Sequence, residues 1–159
     1  DEQLSNSCLF LAGAESCMNN SRFSPENYDG ILSARELAEQ DLSHVNLVVL
    51  SACQSGLGYI CTDGVYGLQR GLKTAGVKAI IASLWSVDDQ ATMLLMRKMY
   101  EYLGQGNPLH EAFSKARLYL KTATIEERYH RSQLPDLIVE KNFDEPMYSD
   151  AFILIDGNE

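Results

Sequence analysis

Cys53 is the residue around which chemistry can be organised. It lies in Ala52-Cys53-Gln54-Ser55-Gly56-Leu57-Gly58, directly after the apolar, β-branched run of residues 45–51. Such a run reads as a strand buried on both faces. In open α/β sheets ligands bind outside the carboxyl ends of the strands. Small neighbours let a substrate approach Cys53, and backbone N–H groups near Cys53 and Gly56 can face a carbonyl oxygen as an oxyanion hole. The chemistry would be nucleophilic attack by a thiolate. A second reading stays open, in which the cysteine is a small buried hydrophobe. A free thiol has a pKa of about 8.5, so a base or cation must lie near it for thiolate to exist at neutral pH.

The other reactive side chains offer less. His44 falls in the turn before the 45–51 run, at its amino end and far from the thiol. His110 starts a helix and His130 lies in a polar stretch; all three read as solvated, the common fate of histidine. Asp88 and Asp89 are adjacent, so their side chains diverge at a helix start, which suits neither a glycosidase pair nor a metal clamp. Cys8, Cys17, Cys53 and Cys61 contain no C-x-x-C pair, so a zinc site is poorly supported. Gly56, Gly58 and Gly64 do not form a phosphate fingerprint. No metal or organic cofactor is expected. Reduced thiols in the cytoplasm are the expected setting, since a chain of this apolar content does not need disulfide staples.

These residues need a scaffold, and the composition provides one. The 159 residues are 45% hydrophobic and 22% charged, ordinary values for a globular protein. One domain over residues 1–159 is expected, with roughly 70% of the unfolded surface buried on folding. No apolar run approaches the ~20 residues of a membrane helix. The net charge of −9 would repel nucleic-acid backbones and anionic membranes, so neither is an expected partner.

Strand and helix patterns alternate along the chain. Residues 7–14 read as a buried strand and 15–30 as a surface loop. Ser33 with Glu36 forms a capping box for a short helix through about Gln40, and residues 41–46 turn the chain. After the 45–51 strand and the Cys53 loop, a helix is predicted from about Gly64 to Ala75, stopped by Gly76. Residues 77–85 form a second buried strand. Asp88 or Asp89 caps a long helix whose Met93, Met96, Met99, Tyr100 and Leu103 recur at helical spacing, and the face of Met93, Met96 and Met99 reads as core. Another helix spans 109–121. Residues 122–147 read as polar and irregular, and 151–155 as a last strand. The alternation predicts an α/β sandwich with a mainly parallel sheet. An apolar strand so close to Asp1 leads to the expectation that further strands lie upstream.

Several of these segments, in order, resemble the CHAT-domain family of caspase-like cysteine peptidases. Ser51 to Gly58, S-A-C-Q-S-G-L-G, is similar to the family's nucleophile motif. Asp29 to Leu37, D-G-I-L-S-A-R-E-L, resembles its D-G-x-L-T-A-x-E-I segment. Gly64 to Gly71, G-V-Y-G-L-Q-R-G, resembles its G-x-x-G-L-x-R helix start. Ala75-Gly76-Val77 and Ser83 to Thr92, S-L-W-S-V-D-D-Q-A-T, resemble its A-G-A and S-L-W-x-V-D-D-x-A-T blocks, and Tyr148 to Ile155 resembles its closing strand.

The resemblance implies a caspase-like three-layer α/β sandwich and peptide-bond hydrolysis, with Cys53 as nucleophile and the Cys53 and Gly56 backbone at the oxyanion. It implies a substrate cleft bordered by residues 83–88. Trp85 would then pack against substrate, or serve as a core aromatic. Asp88 or Asp89 would pair with a basic P1 side chain, or cap the helix. Asp63 would be a third carboxylate near the cleft, or a solvated loop residue. The family's general base is a histidine in a T-H-G motif upstream of the nucleophile. None of His44, His110 and His130 has that context, so the chain alone is expected to be inactive. The implied partners are a protein or peptide substrate and an upstream helical-repeat region or amino-terminal subunit. The alternative is a non-catalytic interaction module that keeps the fold.

Overall fold

The computed structural model describes residues 7–11, 14, 30–50, 62–129 and 137–156. In chain order the elements are β1 (Cys8–Phe10), β2 (Ile31–Ser33), α1 (Ala34–Ala38), β3 (Leu47–Leu50), α2 (Thr62–Thr74), β4 (Ala79–Ser83), α3 (Asp89–Gly104), α4 (Leu109–Thr122), β5 (Thr124–Tyr129), β6 (Leu137–Asn142), α5 (Pro146–Ser149) and β7 (Phe152–Asp156). The fold is mixed α/β. The described chain forms two compact units. One holds the described residues up to Leu50, from α2 to Ile81, and from Ile155; the other runs from Ala82 to Leu154.

In the first unit, Ser33 caps α1 as its pattern predicts. The Glu36 N–H donates to Ser33 Oγ at 3.2 Å and the Ser33 N–H donates to Glu36 Oε2 at 2.8 Å. The reciprocal bonds satisfy donors that the first helical turn leaves unpaired. The Ala34 N–H donates to the Ser7 carbonyl at 2.8 Å, tying α1 to the chain before β1. α1 packs on α2, and the approach is close at one point. A Cβ on Gly71 would lie 2.4 Å from the Ala34 carbonyl oxygen, so glycine is required there. α2 ends as expected at Gly76, which has φ +94°. The Val77 N–H donates to Leu72 O at 3.0 Å and the Gly76 N–H to Lys73 O at 3.1 Å. That pair of bonds satisfies the last carbonyls of the helix. Ala34, Leu37, Leu68, Leu72, Val77 and Ile80 form the buried cluster.

β3, β4 and β7 form a three-stranded sheet in that order. All five residues of β4 are buried, matching its continuous apolar sequence. β3 differs from expectation. Its four residues are half-buried rather than buried on both faces, although Val48 and Leu50 do pack against the apolar cluster.

In the second unit α3 packs on α4. Asp88 caps α3. The buried residues of α3 are Ala91, Leu94, Leu95 and Met99, and those of α4 are Ala112, Phe113, Ala116 and Leu120. Alanines on both helices permit close approach. This corrects the reading of the methionine face as core. Met99 is fully buried, but Met93 and Tyr100 are each 54% exposed. The buried face of α3 follows Ala91, Leu94, Leu95 and Met99, which leaves Met93 and Tyr100 outside it.

Two further expectations are corrected. The described residues of 122–147 are not irregular. β5 and β6 pair antiparallel from Thr124–Asn142 to Tyr129–Leu137. The charged residues of T-I-E-E-R-Y conceal the strand, because the side chains described on it are exposed or half-buried rather than packed in a core. The strands are also not mainly parallel. Besides β5–β6, β1 and β2 pair antiparallel with Leu9 opposite Leu32. Short ladders of this kind need no crossover helix, so the alternation of strand and helix signals does not reveal them. Among the described residues, the predicted strand over 7–14 is limited to the three residues of β1, with the Leu11 N–H still donating to Gly30 O at 2.6 Å. No described helix is long and apolar enough to cross a membrane.

Candidate functional site

The chemistry-bearing residues that the structure describes cluster where β4 leaves the sheet and α3 begins. β4 delivers Leu84 and Trp85 to the surface, 43% and 42% exposed. Backbone and side chain both anchor this exit. The Leu84 N–H donates to Ala151 O at 2.8 Å. The Trp85 indole Nε1–H donates to Met147 O at 3.0 Å. The indole is thus held by its polar edge against α5 while a large part of its surface faces solvent. Trp85 is the chain's one tryptophan, and it is not a core aromatic. Met147 beside it is also exposed.

Asp88 has extended backbone, φ −73° and ψ 132°. Its Oδ1 accepts from the Gln90 and Ala91 N–H groups, both at 3.0 Å. Its carbonyl accepts from Thr92 Oγ1 at 2.8 Å. The helix-cap reading of Asp88 therefore holds, and it selects Asp88 over Asp89, which lies exposed in the first turn. The other carboxylate oxygen, Oδ2, accepts from Lys141 Nζ on β6 at 2.6 Å. The same ammonium donates to Gln90 Oε1 at 3.2 Å and lies 5.5 Å from the centroid of the Phe143 ring, within cation–π range. Phe143 is fully buried and meets Tyr148 edge-on at 5.3 Å. Burial alone would push the Asp88 carboxyl up. The hydrogen bonds from Lys141 and the helix N–H groups outweigh it, and the carboxyl is held below its ordinary value.

A second ion pair secures the approach to β7. Arg117 Nη2 on α4 donates to Asp150 Oδ1, and Arg117 Nε donates to Ser149 O at 2.8 Å. The Arg117 hydrogen bond is the main reason the Asp150 carboxyl lies below its ordinary value.

Cys53 and Gly56 lie outside the described residues, three and six positions beyond the end of β3 at Leu50. Asp63 falls within α2 rather than in a loop, and its side chain lies outside those described. Of the histidines, His44 is exposed in the turn before β3 and His110 is exposed in the first turn of α4; His130 lies outside the described residues. Cys8 is a free, half-buried thiol whose burial pushes its pKa up, the opposite of an activated nucleophile. Among the described residues no three His, Cys, Asp or Glu side chains converge as a metal site would require.

Sequence reasoning missed Lys141, Gln90 and the Met147 carbonyl as members of this cluster. Lys141 sits in the segment read as irregular. The L-I-V of residues 137–139 was the available signal, a short apolar and β-branched run that marks a strand.

Comparison with known proteins accords with these motifs. A 76-residue stretch, 48% of this chain, is 34% identical to Tetratricopeptide repeat protein 28 of Mus musculus, and the match spans 3% of that protein's length. No solved structure matches the chain. The model of the CHAT domain matches residues 1–155, nearly the whole sequence, and the chain belongs to the CHAT domain family.

Proposed function

We propose that this CHAT domain is a cysteine endopeptidase domain of caspase-like sandwich architecture, acting in the cytoplasm, with Cys53 as its nucleophile. The observation that carries the reading is the S-A-C-Q-S-G-L-G segment directly after β3 in a chain of this family. The Cys53 thiolate attacks the scissile carbonyl carbon. The resulting oxyanion accepts hydrogen bonds from the Cys53 N–H and the backbone at Gly56. Collapse of that intermediate expels the amine, which takes up the proton originally lost by the thiol. Water then hydrolyses the thioester and regenerates Cys53. The base that carries the proton is the histidine of a T-H-G motif, which the 159 residues do not contain, so these residues by themselves are inactive.

Trp85 borders the substrate, a reading supported by its exposed ring and anchored indole N–H. Asp88 receives a basic P1 side chain, and Asp63 is a further carboxylate of the cleft. No metal or organic cofactor takes part. The relevant assay uses a longer parent chain carrying the histidine and a fluorogenic peptide library varied at P1. Cleavage that disappears in Cys53→Ala is the expected result. Cleavage that persists in that variant overturns the assignment of Cys53.

A second reading is favoured by the similarity to a tetratricopeptide repeat protein. In it the domain is a non-catalytic module attached to helical repeats, and no peptide is cleaved by either version. A pull-down that retains a specific partner with Cys53→Ala as well as with the original cysteine would support this second reading.

A further inference from the structure

The Asp88 carboxylate already has a cationic occupant supplied by the chain. Lys141 Nζ rests 2.6 Å from Asp88 Oδ2 and 3.2 Å from Gln90 Oε1, over the Phe143 ring at 5.5 Å. A carboxylate, an amide oxygen and an aromatic face together make a cradle for one monovalent organic cation. We propose that Lys141 is an internal plug of this cradle, and that an external ligand bearing an ammonium, amidinium or guanidinium group binds by displacing it. The inference rests on the reading of Asp88 as a receiver of basic side chains and adds a regulatory element to it, the β5–β6 hairpin.

The geometry supports displacement. Asp88 Oδ1 is committed to the two N–H groups at the start of α3, so the carboxylate stays oriented when Lys141 leaves. Oδ2 is then the open acceptor. Both partners are on the accessible side of burial, 24% exposed for the Lys141 side chain and 28% for Asp88, so a small cation can reach them from solvent. Lysine also fits the role of a removable occupant. Its ammonium is a compact charge on a flexible four-carbon stem, and it lacks the paired donors with which an arginine grips a carboxylate. A planar amidinium or guanidinium ligand has those donors. Trp85 lies three residues before Asp88 in sequence and is the chain's one tryptophan, so its fluorescence reports on this segment without interference.

The test titrates benzamidine against the full chain and follows Trp85 fluorescence, with benzamide as the neutral control. Lys141→Met removes the ammonium and keeps an unbranched apolar stem over Phe143. It should bind benzamidine more tightly than the original protein, by up to about fivefold, the scale expected for removing one partly exposed competing ion pair. Adding Asp88→Asn, which preserves a cap-forming side chain, should abolish that gain, and benzamide should not bind either form. Equal or weaker benzamidine binding in Lys141→Met overturns the proposal, as does a gain that survives Asp88→Asn. If Lys141→Met does not fold, acetic anhydride labelling of the unaltered protein decides. Benzamidine should raise the labelling of Lys141 at least twofold while leaving Lys98, paired with Glu101, unchanged; no rise at Lys141 overturns the proposal. None of these readouts needs catalysis. Failure of the Cys53 peptidase test therefore leaves this result interpretable, and the converse holds too.

Discussion

The first unit and the second join their segments by different physics. In the first, α1 and α2 meet backbone to backbone at Ala34 and Gly71, and an apolar cluster surrounds the contact. In the second, α3 packs on α4 and each helix buries leucine and alanine, but the connections around them are charged. Lys141 holds Asp88, and Arg117 holds Asp150. Close packing cannot be released without leaving a void or a clash. A partly exposed ion pair exchanges with water and salt at little cost. The second unit is therefore the one in which a ligand can compete with an internal contact, and it is also the one that carries Trp85 and Asp88.

The comparison breaks first in the cores. Ile80 of the first unit and Leu95 of the second are both fully buried. Truncating either to alanine should cost about 2–5 kcal/mol of unfolding free energy, the range for large-to-small changes in a packed core. Equilibrium denaturation in urea measures both. A cost below about 1 kcal/mol for Leu95→Ala would mean that the packing around α3 relaxes into the space, and that the second unit is loosely packed as well as charged.

Next comes Gly71. Glycine inside a helix is ordinarily worse than alanine by about 1 kcal/mol. Here the added Cβ would meet the Ala34 carbonyl oxygen at 2.4 Å, and that oxygen is backbone with no rotamer to escape into. Gly71→Ala should therefore destabilise, by about 1–3 kcal/mol as for other overpacked sites, visible as a lowered thermal midpoint. A neutral or stabilising Gly71→Ala would show that α1 shifts freely against α2.

How much of this was legible follows the same division. β4 was readable because five buried residues leave an unbroken apolar run, A-I-I-A-S. The capping box at Ser33 and the stop at Gly76 were readable because each is a local device, complete within a few residues. The antiparallel pairing of β5 with β6 was hidden by charge. Ile125 opposes Lys141 and Glu126 opposes Glu140, so neither strand shows a clean apolar face. Lys141 escaped notice for a further reason. It reaches Asp88 across 53 positions of sequence, and no periodicity encodes the partner of a long flexible side chain. The Met93 and Tyr100 face misled because apolar type and helical spacing describe a stripe without saying which of two stripes meets a neighbour.

The Asp88 ion pair gives a smaller and pH-dependent effect. Asp88→Ala removes both the cap and the Lys141 partner and should cost about 0.5–2 kcal/mol. Asp88→Asn keeps the cap and removes only the charge, so it should cost less at neutral pH. The two variants separate on the acid side. The folded Asp88 carboxyl lies below its ordinary value, so its contribution is present above the unfolded pKa and lost as pH falls through the folded one. The stability of the original protein and of Asp88→Asn should therefore converge as pH falls through that window. Parallel curves from pH 7 into the acid range would mean that Lys141 contributes no charge-dependent stability, which would weaken the case for a competing cation there.

The smallest effect sharpens the contrast with Gly71. Gly104 ends α3, and a Cβ built there meets nothing within 4 Å. Gly106, two residues on, is equally open but has φ +87°. Its N–H donates to Leu103 O at 2.9 Å and the Asn107 N–H donates to Tyr102 O at 3.2 Å, the same pair of bonds that closes α2 at Gly76. Space is available at both positions and conformation at only one. Gly104→Ala should thus stabilise by about 0.5–1 kcal/mol, through helix propensity and a less mobile unfolded chain. Gly106→Ala should destabilise by about 1–2 kcal/mol, because an L side chain resists the left-handed region. Three glycine-to-alanine changes then carry three signs of cause: a clash with backbone at Gly71, a forbidden conformation at Gly106, and neither at Gly104. If Gly104→Ala and Gly106→Ala shift the thermal midpoint alike, the end of α3 frays in solution, and the closing bonds at Leu103 and Tyr102 do not hold the turn that leads into α4.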